Sequence, residues 1–283
     1  MKRKKMSFFS MLCWVSLLVL TVIWAMPILW ILLTSFKTES EVIVAHTVFP
    51  KQWTLQSYTD VLLNPVYATQ MPIMRWFGNS LFISSVHTIL AISISALSAY
   101  AYARLEFKGR DLLFMMQLST LMIPAILKVV ALYRIMIVLH WVDTPWSMIF
   151  PGLGEAGILF LLRQFMMSIP REQDEAAMLD GAGKLRIFWH VILPQCKPSL
   201  IISGVFVFLA NWNDFMWPVI ITNGIEHRTL TSGLKVLQSA MFNQYAKLAV
   251  AAVISSLPVI VLYLVAQKYL IKGLKISSER QSF

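Results

Sequence analysis

The chain has 283 residues, 58% of them hydrophobic and only 13% charged, with a mean hydropathy of +0.68. A soluble domain lies nearer about 45–50% apolar and about 25% charged, so the composition excludes an ordinary globular protein and describes one that crosses a membrane several times. The net charge of +10 reads as positive residues holding cytoplasmic loops in place, with no nucleic-acid partner implied. Cys13 and Cys196 make neither a metal spacing nor a disulfide framework.

In chain order, Lys2 to Lys5 form a basic start before an apolar run from about Phe8 to Leu33. That run is long enough to span a bilayer and shows no small-residue cleavage site, so it predicts an uncleaved first span with a cytosolic N-terminus. A mixed polar segment to about Trp76 follows outside. A second span is predicted from about Phe77 to Ala103, rich in Ser and Ala that let membrane helices pack closely. A basic turn, Arg104 to Asp111, is cytosolic. The third span, about Leu112 to Tyr133, contains Pro124, which removes a hydrogen bond to the Thr120 carbonyl and bends the helix. The fourth runs from about Trp146 to Met167, the fifth from Ser199 to Thr222 and the sixth from Leu248 to Ile271. Asn223 to Lys247 is external. Twice as many Lys and Arg fall on the cytosolic segments as on the external ones, which places both termini in the cytosol. The expected fold is an all-α polytopic membrane protein of about six transmembrane helices.

Between the fourth and fifth spans lies a polar stretch, Pro170 to Pro194, dense in acids, bases and small residues. Pro170 suits the start of a helix. Glu172, Asp174 and Glu175 then sit at the positive end of its dipole. Asp180-Gly181 reads as its stop, with Gly181 in the left-handed conformation. A second helix, Lys184 to Val191, is expected to end before Pro194. The result is a helix–turn–helix knob at the membrane surface, whose Ala176 and Ala177 admit a close partner.

Glu175-Ala176-Ala177, then Gly181, then Val191-Ile192-Leu193-Pro194 resembles the spaced "EAA" loop of permease subunits in binding-protein-dependent ATP-binding-cassette importers. Val191 stands where the family usually has Ile. Phe160 to Phe165, Asp180-Gly181-Ala182, Trp212-Asn213-Asp214-Phe215 with Pro218, and Gln267-Lys268-Tyr269 with Gly273-Leu274 resemble the carbohydrate branch, on the side of the maltose permease subunit without a large external domain. The resemblance implies a type I importer permease fold and no bond chemistry in this chain. It also implies import of oligosaccharides, related glycosides or glycerol phosphates. Implied partners are a second permease subunit, an ATPase dimer that carries the ATP and Mg, and an extracytoplasmic solute-binding protein, all at the cytoplasmic membrane. Glu175, Ala176, Ala177, Asp180, Gly181, Leu193 and Pro194 would form the ATPase-coupling loop. The chain then divides into residues 1–76, a core permease domain 77–271 holding that loop at 168–198, and a cytosolic tail 272–283. The tail departs from the Gly-rich, Lys-containing end of the maltose subunit but is expected near the ATPase.

Asn211, Trp212, Asn213 and Asp214 fall past the middle of the fifth span, where polar groups are costly in hydrocarbon unless they face a partner or water. Pro218 leaves the Asp214 carbonyl without its helical donor. The four either line a translocation pathway, where an indole and carboxamides suit sugars, or cap and bridge helices. Glu155 joins them if it lies within the bilayer; if the fourth helix starts near Pro151, it lies at the outer surface. Gly152 to Gly157 matches GxGxxG, but no strand precedes it, so it reads as close helix contact and not as a dinucleotide site. The five histidines are scattered and make no metal pair.

Overall fold

The computed structural model describes residues 8–45, 47–65, 69, 71–240 and 244–280. Lys2 to Lys5, His46 and the last three residues of the tail lie outside them. Among the described residues there are helices and turns and no strand. The chain divides into two compact units, Met1–Ile73 with Leu234–Leu257, and Met74–Gly233 with Pro258–Phe283.

The first unit begins with α1 (Phe8–Thr34), an apolar helix whose large side chains are exposed along its length. The mixed polar segment after α1 carries two short helices, α2 (Glu39–Val44) and α3 (Gln56–Leu63). Thr38 caps α2 by accepting the Glu41 N–H at 3.3 Å. Glu41 in turn accepts the Lys51 N–H at 2.7 Å and the Thr47 hydroxyl at 3.0 Å. Glu39 accepts the N–H groups of Ala246 and Lys247 at 3.0 and 3.2 Å. Those are orphan donors in the first turn of the last helix (Tyr245–Arg280), where a carboxylate also meets the positive dipole end. Lys247 pairs with Asp60 at 3.3 Å. A polar composition here therefore encodes caps.

The second unit is built on α4 (Ile73–Arg104), followed by α5 (Arg110–Ser119), α6 (Ala125–Val138), α7 (Trp146–Ile149) and α8 (Ala156–Met167). The small residues expected to pack do so: Ser80, Ser84, Ala91, Ser95, Ala96, Ala99 and Ala103 of α4 are buried. The lower half of α4 joins a core with Leu159, Leu162 and Met166 of α8, and with Ile187, Phe188, Ile192 and Cys196 beyond it. The chain continues through α9 (Glu172–Leu179), α10 (Lys184–Ile187), α11 (Leu193–Gln195), α12 (Lys197–Trp212), α13 (Met216–Ile221), α14 (Leu230–Ala240) and α15 (Tyr245–Arg280). The helix expected to stop at Ile271 runs on through the tail to Arg280.

Among the described residues, three helices, Phe9–Thr34, Ile73–Arg104 and Tyr245–Lys268, are long and apolar enough to cross a membrane unbroken. The other predicted spans are interrupted. Pro124 does not merely bend the third: it starts α6 after a 103° turn. The Thr120 carbonyl that loses its proline donor is taken by the Ile123 N–H at 3.2 Å. The fourth span breaks between Ile149 and Ala156. The fifth breaks after Trp212, and its first half turns by 78° from the segment before it.

The connections expected to lie outside are pinned by polar groups of this same unit. Trp76, fully buried, donates its indole N–H to the Ile225 carbonyl at 2.6 Å. Asn79 donates to the carbonyls of Glu226 and Arg228 at 2.8 and 2.9 Å. Asp143, at φ 61°, accepts the N–H groups of Asn223 and Gly224 at 3.0 and 3.1 Å and lies 3.1 Å from the His227 ring. Partial burial pushes the Asp143 carboxyl up, but the Gly224 N–H, His227 and the Asn223 N–H outweigh it, so its pKa lies below the ordinary 3.8.

Two outcomes follow from this packing. A Cβ on Gly233 would stand 2.2 Å from the Trp76 ring, whereas one on Gly204 meets only Thr88 at 3.8 Å. Gly233→Ala should therefore lose about 1–3 kcal/mol through overpacking, and Gly204→Ala should change little. Thermal unfolding in detergent compares the two. Because the folded pKa of Asp143 is depressed, its contribution is full above pH 3.8 and is lost as pH falls through the lower folded value. Hydrogen-exchange protection of the Asn223 and Gly224 amides should hold above that pH and fall below it.

Candidate functional site

Two places in the second unit collect the residues singled out by the sequence. The first is the knob. Helix α9 starts with Glu172, Asp174 and Glu175 in its first turn. It ends with Gly181 at φ +79°, its N–H donating to Met178 at 3.0 Å while Ala182 donates to Ala177 at 2.9 Å. This paired closure satisfies the last carbonyls of the helix and needs the left-handed residue that glycine supplies.

The following helix does not stop before Pro194. The chain widens into a π-turn over Phe188–Ile192, the Leu193 N–H reaching back to Phe188, and Pro194 falls in the first turn of α11. One extra residue per turn takes up the proline ring that would clash in an α-helix.

The paired alanines do not share a face. Ala177 is half-buried and packs against the core of α4 and α8. Ala176, Glu175, Asp180, Gly181 and Pro194 are exposed, and Leu193 is half-buried. Sequence reasoning missed the large apolar groups the knob presents: Leu179 is 90% exposed, Leu185 69% and Trp189 56%. An amphipathic reading of two helices this short gives no signal for them.

The second place is a cavity of about 830 Å³. Thr120, Ile123 and Pro124 reach it from the α5–α6 break, and Gly152, Gly154 and Glu155 from the α7–α8 break. Asn211 and Asp214 reach it from the α12–α13 break, with His87 of α4 and Lys128 of α6 completing the polar lining. Each break in a predicted span thus opens onto the same space.

Glu155 stands directly before the first residue of α8, its side chain not engaged in capping, and it is exposed to the cavity. The helix start is thus neither at Trp146 nor at Pro151. The glycines of the GxGxxG match do not make close helix contacts: only Gly152 has a backbone need, at φ +83° near the His87 ring. His87 is buried and bonds the Ile149 carbonyl at 2.7 Å through Nδ1, which fixes the end of α7.

Asn211 accepts from the Ser84 hydroxyl at 3.0 Å. Asp214 stands between α12 and α13, and its half-buried side chain reaches the cavity. The Asp214 carbonyl, deprived of its helical donor by Pro218, is taken by the Thr231 hydroxyl at 2.7 Å. Trp212 and Asn213 are not part of the lining. Trp212 is 2% exposed, stacked on Phe208 and edge-on to Phe77. Its indole is core, because a helix that turns polar on one side still needs an apolar anchor on the other. Asn213 is exposed and does not line the cavity. Among the described residues, no three His, Cys, Asp or Glu side chains gather to hold a metal ion.

A multi-pass helical protein with broken spans around a polar cavity and a folded knob between two of them is a membrane permease. The chain belongs to the family described as "Binding-protein-dependent transport system inner membrane component", whose model matches residues 4–276. It is 33% identical over 251 residues to the inner membrane ABC transporter permease protein YcjP of Escherichia coli, covering 88% of each chain. It is 31% identical over 280 residues to the arabinooligosaccharides transport system permease protein AraQ of Halalkalibacterium halodurans, covering 98% of each. Among solved structures it superposes on a chain of a bacterial ABC transporter involved in import of the acidic polysaccharide alginate. The TM-score is 0.81 at 21% identity, covering 95% of this chain and 99% of that one. The fold is therefore that of a type I importer permease, and the chain is a multi-pass protein of the inner membrane.

Gly181→Val should strain the knob by about 1–2 kcal/mol, because a β-branched residue is poorly tolerated in the left-handed region. Gly181→Asn should cost less. Faster hydrogen exchange at the amides of positions 181 and 182 in the Val variant is the measurable consequence.

Proposed function

We propose that this chain is the permease subunit of an ATP-driven importer that carries a carbohydrate, an oligosaccharide or related glycoside, into the cell. The observation that carries this reading is the convergence of three helix breaks on one polar cavity. In a bilayer, backbone released from helical bonding is tolerated only against protein or a water-filled space. A chain that breaks three spans toward one point is building such a space. Its lining suits sugar hydroxyls: Glu155 and Asp214 accept, Lys128 donates, and Asn211, Thr120 and His87 do either. The arabinooligosaccharide relative agrees with that chemistry.

The partners follow from the same family. A second permease subunit completes the pathway and covers part of the exposed apolar face of α1, lipid covering the rest. An extracytoplasmic binding protein delivers solute, and an ATPase dimer holds ATP and Mg on the cytosolic side, where both termini of this chain lie. The knob is the contact with that ATPase, with Leu179 and Leu185 entering its surface, Glu175 and Asp180 on the polar rim and Gly181 setting the shape. ATP-driven closure of the ATPase pulls the knob, and alternating access at the cavity follows.

Asp214→Asn and Glu155→Gln should reduce ATP-driven uptake of labelled arabinotriose or maltotriose by about tenfold or more, the loss of a hydrogen bond to a charged group. Assembly with the ATPase should persist. Trp212→Ala should instead fail in folding, losing about 3–5 kcal/mol by removal of a core aromatic. Uptake by proteoliposomes, read beside co-purified ATPase, separates the two classes. Wild-type uptake by both cavity variants would contradict the pathway.

A further inference from the structure

The knob is fastened to the rest of the unit by an unusual buried group, and we infer that the Arg104–Asp174 ion pair is the joint that makes the knob move as one body with α4 and α8. This rests on the reading of the knob as the ATPase contact. Arg104 is the last residue of α4, and its side chain is 4% exposed. One guanidinium nitrogen donates to the carbonyls of Met166 and Ile169, both at 2.7 Å, where α8 ends. The other lies 3.3 Å from the carboxylate of Asp174 in the first turn of α9. A single planar fork therefore ties three helix ends together. The arrangement agrees with their dipoles, a cation at the ends of α4 and α8 and an anion at the start of α9.

One turn earlier on the same side of α4, Tyr100 donates to the Lys184 carbonyl at 2.9 Å, and its ring lies 5.1 Å from that of Phe188. Residues four apart on a helix share a face, so α4 grips α9 through Arg104 and α10 through Tyr100. Both halves of the knob are held by one rigid helix.

The pair is not built for stability. Arg104 Nε and Asp174 Oδ1 are buried without a hydrogen-bond partner. A buried pair satisfied on one edge contributes little to folding compared with apolar packing, whereas removing one partner strands the other charge. What such a pair does supply is a fixed geometry, and a lever needs a fixed geometry to transmit a pull rather than absorb it. Arg104 and Asp174 are thus positioning residues, and neither touches solute or nucleotide.

The test is a pair of spin labels within this chain, at Lys108→Cys in the turn after α4 and at Asp180→Cys at the end of α9, on a Cys13→Ser background in the full importer complex. The distance should be narrow and the same with and without ATP and Mg. Asp174→Asn should broaden its distribution by at least about twofold as the knob gains local freedom, and Asp174→Glu should restore most of the narrowness. Arg104→Lys, which keeps the charge and loses the fork, should broaden it as well. An Asp174→Asn distribution as narrow as the wild type's would overturn the inference. So would a wild-type distance that shifts on adding ATP, or failure of both Asp174→Asn and Arg104→Lys to assemble, which would make the pair a folding element only. Because the distances are internal to the chain, sugar uptake is read separately in the unlabelled wild-type complex, where its absence would count against the importer reading and not against the joint.

Discussion

A backbone in hydrocarbon has no water to bond, so each N–H and C=O must find a partner inside the protein. That constraint explains where this chain keeps its helices whole and where it lets them break. Helices α1, α4 and the apolar part of α15 are unbroken. The breaks at Pro124, before Glu155 and after Trp212 all reach one cavity, and each freed group is answered locally. The Thr120 carbonyl takes the Ile123 N–H, the Ile149 carbonyl takes His87, and the Asp214 carbonyl takes the Thr231 hydroxyl. Irregularity is confined to the site that needs polar groups.

The second constraint is mechanical. A knob that receives force from another subunit must be stiff within itself and stiffly joined to the spans it drives. The glycine closure of α9, the π-turn that carries the chain past Pro194, and the core formed by Ile187, Phe188 and Ile192 supply the first. Arg104 and Tyr100 of α4 supply the second. The cavity and the knob meet at one helix: α8 begins just after Glu155 at the cavity and ends beside the Arg104 fork, so under the proposed coupling a pull on the knob would act along α8 toward the cavity.

Much of this was legible in the residues, for reasons that differ by position. Gly181 was readable because an acid-rich first turn and an Asp-Gly stop fix a helix at both ends. The polar cluster at Asn211 and Asp214 was readable because such groups are costly in a span. Trp212 was misread: adjacency in sequence does not give the face of a helix, and one residue's rotation carries it from cavity to core. Pro124 and Pro194 show the same limit from the other side. Proline announces that a hydrogen bond is missing, but whether the chain turns by 103° or widens into a π-turn depends on which partner takes the carbonyl. The Arg104–Asp174 pair joins positions 70 residues apart in sequence, and nothing in local pattern signals it.

The central claim is that the cavity at the three breaks is the solute pathway. Its most direct test is water accessibility at Asn211, with Asn211→Cys on a Cys13→Ser background and a charged, membrane-impermeant thiol reagent in the assembled importer. The account predicts labelling that depends on the ATP state and is slowed when the binding protein is loaded with transported saccharide. A cysteine there that stays unreactive in every nucleotide state, or reacts at the same rate with and without saccharide, would contradict it.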